Sequence, residues 1–86
     1  MTLDLYPKWT RGRALERETV TTKAGWAIRC ALIALDPPAG RLTHAATSDA
    51  GTSRCRSEEA CRKKYESSLR HWRAYQGPKP SYMKES

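Results

Sequence analysis

Eighty-six residues with 16 Lys and Arg against 9 Asp and Glu, a net charge of +7, describe one small basic domain. A chain this short buries only about 60–65% of its unfolded surface, so the core is modest. With 38% hydrophobic and 29% charged residues it falls outside the disordered class, and no run of about 18 apolar residues offers a membrane span.

Residues 1–14 mix Leu3, Leu5, Tyr6 and Trp9 with Pro7 and Gly12. Pro7 disfavours a helix. The expectation is an extended N-terminal arm that leans on the body and ends in Lys8, Arg11 and Arg13. Arginines on such arms can enter a DNA minor groove, and simple solvation is the plainer alternative. Asp4 and the lack of a long apolar stretch argue against a signal peptide, which points to a cytoplasmic protein.

Leu15 to Thr22 is rich in β-branched residues and reads as a first strand, with Glu16, Arg17 and Glu18 giving it a wet, edge-like start. Lys23-Ala24-Gly25 supplies a turn with glycine available for positive φ. Trp26 to Leu35 is the most apolar stretch. As a helix it would need burial all round, which so small a domain hardly provides. As a central strand it turns Trp26, Ile28, Cys30, Leu32 and Ala34 toward a helix, and Ala27, Ala31, Ile33 and Leu35 the other way. That second face is too apolar for a surface and calls for a cover, either the arm or a partner.

Asp36 to Gly40 is a turn, and Arg41 to Thr47 a third strand with Leu42, His44 and Ala46 on one face. Ser48 to Arg56 reads as a polar loop. Ser57 to Tyr75 is a helix, N-capped by Ser57, with Glu58 and Glu59 at the positive end of its dipole and Gly77-Pro78 to stop it. Cys61, Tyr65, Ser68, Leu69, Trp72 and Tyr75 form its apolar stripe. Residues 77–86, with Tyr82 and Met83, read as a flexible tail. The expected fold is α+β: a small antiparallel three-stranded sheet packed against one C-terminal α-helix (β-β-β-α), the domain covering residues 15–76.

Arg62, Lys63, Arg70 and Arg73 gather on one flank of the helix and, with Arg11 and Arg13 of the arm, form the candidate binding site for an acidic partner. Arginine suits bidentate phosphate contacts. The competing arrangement is a solvated flank with i,i+4 pairs Glu58–Arg62, Glu59–Lys63 and Glu66–Arg70, each worth about 0.2–0.5 kcal/mol. Glu58 and Glu59 oppose a phosphate cradle at the helix start. Cys55 and Cys61 are separated by five residues, outside the spacing of a zinc knuckle, so the three thiols, Cys30 included, are expected free and no metal or cofactor is implied. His44 and His71 sit beside no evident nucleophile, which argues against an enzyme. Tyr65 and Trp72 belong to the core rather than to a stacking platform, and Trp9 and Tyr82 are freest to meet a partner.

The β-β-β-α order, with Trp26 opening the second strand and Ser57-Glu58-Glu59-Ala60 opening the helix, resembles the small DNA-binding domains of phage integrases and plant AP2 factors over roughly residues 15–75. In those domains the sheet reads the major groove; here the strands offer only Arg17, Arg29 and Arg41 for that role. The expected function is a nucleic-acid-binding accessory or regulatory module of phage or mobile-element type, non-enzymatic, with DNA ahead of RNA and no membrane partner. The alternative is a stoichiometric inhibitor that blocks a host protein machine through an acidic protein surface, for which an apolar second sheet face is the supporting feature.

Overall fold

A computed structural model describes residues 4–6 and 10–78. The elements are β1 (Asp4–Tyr6), β2 (Thr10–Thr21), β3 (Ala27–Ala39), β4 (Leu42–Ser48), β5 (Gly51–Cys55) and α1 (Glu58–Ala74). The strands lie in the order β1-β2-β3-β4-β5, every neighbouring pair antiparallel, and α1 packs on one face. The α+β class with one C-terminal helix is therefore as expected. The strand count is not: four strands, β2 to β5, stand where three were expected, and the three-residue β1 adds a short fifth at the edge.

The additional body strand is β5, which the sequence presents as a loop. Ser, Gly and Arg give Gly51-Thr52-Ser53-Arg54-Cys55 little intrinsic strand preference. Pairing decides instead, from Ser48↔Gly51 to His44↔Cys55. The β4–β5 turn is held from outside by Asp49, whose carboxylate accepts from the Arg29 amide at 2.9 Å and from its guanidinium at 2.9 and 3.2 Å. The lone charge of the apolar segment thus has a structural partner.

β2 also begins earlier than expected. Residues 10–14, assigned to the arm, are the first part of this strand, while residues 1–3 and 7–9, including Lys8 and Trp9, lie outside the described residues, as do 79–86 of the tail. The turn after β2 forms at Lys23-Ala24-Gly25, where Gly25 has φ +95° and Thr22 Oγ1 accepts from the Trp26 amide at 3.0 Å. Ser57 caps α1, its Oγ accepting from the Ala60 amide at 3.2 Å. The helix does not end on a left-handed Gly77. Tyr75 turns extended, and the Lys23 amide of the β2–β3 turn donates to its carbonyl at 3.0 Å.

The main core lies between sheet and helix. Ile28, Cys30 and Leu32 of β3 meet Cys61, Tyr65, Leu69 and Trp72 of α1, with Val20 and Cys55 completing the cluster and Trp26 half-buried against it. The centre of the opposite face of β3 is buried as well, Ala31 at 1% and Ile33 at 0% exposure, together with Ala45 and Thr47 of β4. Part of its cover is the start of β2. A register shift between Ala14 and Glu16 makes Leu15 a bulge: Glu16 and Glu18 after it point to the helix side, and Gly12 and Ala14 before it to the second face. Thr10 then reaches across to β5, its hydroxyl 3.1 Å from that of Thr52, which is 2.7 Å from that of Thr47. In a flat sheet three strand spacings would separate these strands by about 14 Å. The sheet is rolled, and Gly12 permits the roll: a Cβ there would lie 2.2 Å from the Ala34 carbonyl oxygen and 2.6 Å from Ile33 Cγ2.

Candidate anion-binding groove

The two flanks of α1 differ in electrostatic character. On the β2 side the bulge has set Glu16 and Glu18 facing the helix. Arg62 donates to Glu16 and, at 2.8 Å, to Glu58; Arg73 donates to Glu18. These contacts are half-exposed and worth only about 0.2–1 kcal/mol each. They nevertheless give Arg62 and Arg73 carboxylate partners, so two of the six expected site residues sit on a flank that is already neutralised. Of the three expected i,i+4 pairs, Glu58–Arg62 forms; Lys63 and Arg70 are exposed and take part in no ion pair among the described residues. Arg11 and Arg13 are exposed on the first part of β2, Arg13 beside a small hollow with Ala34, Leu35 and Asp36.

If these contacts restrain the arginines, replacing Glu16 and Glu18 together with glutamine should change stability by no more than about 2 kcal/mol, as two surface pairs allow. The variant should also elute from a polyanionic column at higher salt than a Glu59→Gln/Glu66→Gln control of equal charge. Co-elution of the two variants would show that Arg62 and Arg73 are no freer than before.

On the other flank the helix and the β4–β5 hairpin enclose a groove of two adjoining hollows, about 430 and 490 Å³. Lys64, Ser67, Ser68 and His71, spaced i, i+3, i+4 and i+7, form its helical wall; Lys63 joins at the outer hollow, and Ser53 of β5 lines both. Tyr65 and Trp72 are at the floor of the inner hollow. Among the described residues no carboxylate lines either hollow. Ammonium and hydroxyl groups can donate several hydrogen bonds to one anion, which is the chemistry of a phosphate or sulfate site.

Two of the buried thiols are held in their protonated form. Burial pushes Cys61 up to about 12, with the neighbouring Cys55 thiol adding to the shift, and burial raises Cys30 too. A nucleophilic cysteine needs its thiolate. Among the described residues no group of His, Cys, Asp or Glu is arranged to hold a metal ion, and no helix is long and apolar enough to cross a membrane.

The groove brings Lys63 together with Lys64, Ser53, Ser67, Ser68 and His71, none of which except Lys63 stood among the expected site residues. The i, i+3, i+4, i+7 spacing was a signal available in the sequence. The opposing wall was not, because β5 read as a loop. The integrase and AP2 resemblance implied a sheet-borne interface carried by Arg17, Arg29 and Arg41, and all three are exposed. The centre of the face opposite the helix is buried, and Arg29, though exposed, is paired with Asp49. No family model matches the chain, and neither a curated protein nor a solved structure matches it.

Proposed function

We propose that this protein is a non-enzymatic nucleic-acid-binding module that holds phosphates along the α1 flank bordering β5. The observation that carries this reading is a set of cations there that form no ion pair among the described residues. Lys63 and Lys64 line a hydroxyl-bearing groove to which no carboxylate among the described residues contributes, and Arg70 stands exposed beyond it, in a chain of net charge +7. The reading of a protein-blocking inhibitor has less to rest on, since Ala31 and Ile33 at the centre of the apolar second face are buried, while Ala27 is exposed and Leu35 half-buried.

The test is a salt titration of binding to random-sequence duplex and single-stranded DNA and RNA. Phosphate neutralisation makes the log of the binding constant fall linearly with the log of salt, by about 0.9 per contact on a duplex and about 0.7 on a single strand. Replacing Lys63, Lys64 and Arg70 together with glutamine should lower the slope by up to about 2–3 units and leave the melting temperature near that of the parent. Replacing Arg62 and Arg73 should lower it less. Affinity no tighter than about 100 μM for every probe at physiological salt is only non-specific and would end this reading.

A further inference from the structure

Toward the C-terminus of α1 the groove is lined by His71 and Trp72, and Tyr75 adjoins them outside it. His71 meets Trp72 edge-on with 4.6 Å between centroids, Trp72 and Tyr75 are 5.0 Å apart, and His71 and Tyr75 6.1 Å. Trp72 is buried beneath them, His71 is exposed and Tyr75 half-buried, so the outer two rings keep surface that a ligand can reach. Lys64 and His71 are seven residues apart on one wall, about 10 Å along the helix, with the hydroxyls of Ser67 and Ser68 between them. One end of the groove offers cations, the middle offers hydrogen-bond donors, and the far end offers aromatic surface.

We infer that the groove binds a single-stranded polynucleotide in preference to a duplex, with the sugar–phosphate chain against Lys63, Lys64 and Ser67 and a base stacked at His71 and Tyr75. This rests on the nucleic-acid reading above and narrows it. A duplex presents phosphates but keeps its base faces stacked on one another; only an unpaired strand can offer phosphate and base face together. The inner hollow, about 430 Å³, has the size of a small-molecule site, which suits a nucleotide unit.

The experiment measures affinities at one fixed salt concentration for a short mixed-sequence single strand, the same strand annealed to its complement, an abasic sugar–phosphate strand of equal length, and polyglutamate of equal charge. The nucleic-acid probes are used in DNA and RNA form. The single strand should bind about tenfold or more tightly than the abasic strand, the scale of one stacked base, and more tightly than the duplex. His71→Ala should remove most of the margin over the abasic strand. His71→Phe, which keeps a ring and loses the ring nitrogens, should retain it. Lys64→Gln should weaken base-bearing and abasic strands alike. Because His71 and Lys64 are exposed, these variants should melt like the parent.

Equal affinity for single strand, duplex and abasic strand would overturn single-strand selection and leave phosphate binding intact. A margin untouched by His71→Ala would overturn the assignment of the base to this ring cluster. Tight binding of polyglutamate with none of the nucleic acids would overturn this inference and the nucleic-acid reading together, and assign the groove to an acidic protein segment.

Discussion

Replacing Trp72 with alanine is expected to remove about 3–5 kcal/mol of stability, the range for deleting a buried aromatic side chain. A domain of 86 residues has about 4–13 kcal/mol to lose, so the substitution removes a large share of the stability and, at the low end of that range, leaves the variant largely unfolded at room temperature. The size of the effect follows from position. Trp72 is 8% exposed, belongs to the cluster joining Ile28, Cys30 and Leu32 to the helix, and touches the rings of Tyr75 and His71. It is also two residues from Ala74, where α1 ends, close to the Tyr75 carbonyl that receives the Lys23 amide. A cavity there loosens helix packing and the helix end together. Denaturant unfolding followed by far-ultraviolet circular dichroism gives the comparison; a Trp72→Ala midpoint equal to that of the parent would show that the stripe is not the core.

Gly12→Ala should be the other severe change, for a different reason. The added methyl falls 2.2 Å from the Ala34 carbonyl oxygen, and a backbone atom paired within a sheet cannot step aside as a flexible side chain can. Overpacking of this kind costs about 1–3 kcal/mol when the surroundings yield, and more when they do not. The outcome expected is a β2 whose first part lifts off β3. Ala31, Ile33 and Ala45 would then be uncovered and the Thr10–Thr52 hydrogen bond lost. The variant should therefore bind an apolar dye that the parent ignores, while far-ultraviolet spectra retain the helix. Thr52→Val separates the hydroxyl from the roll itself: it removes hydrogen bonds worth about 1 kcal/mol each and should leave dye binding low. A Gly12→Ala protein without dye binding and with parental stability would show that the roll does not depend on this glycine.

The helix was legible because each of its signals is local. Ser57 as cap, the first-turn glutamates and the 3.6-residue spacing of Cys61, Tyr65, Leu69 and Trp72 act within a few residues of one another. β3 was legible through its apolar run, and even the need to cover its second face could be argued from Ala31 and Ile33. What could not be read was what covers it. Gly12 is indistinguishable in sequence from a glycine in a loose arm, and only the Ala34 carbonyl, brought alongside by strand pairing, gives it meaning. β5 escaped for the same reason, its residues being held by partners rather than by propensity.

The site followed the fold. The sequence gathers Arg62, Lys63, Arg70 and Arg73 by helical angle, and angle alone is blind to what each flank faces. A bulge at Leu15 decides that Glu16 and Glu18 meet Arg62 and Arg73, and a strand read as a loop decides that Lys64 and His71 share a groove with Ser53.

The hydrogen bond between Thr10 and Thr52 joins positions 42 apart in the chain, and this sets an order of events during folding. Closing so long a loop must precede the contacts that reward it, which slows folding relative to a helical domain of similar size. A ribosome must deliver Thr52 before the start of β2 can lock into place. Until then Ala31, Ile33 and Ala45 have no finished cover on one side, and this is the interval in which two nascent chains could associate through that face. The basic groove assembles later still, because its helical wall, α1, follows β5 in the chain.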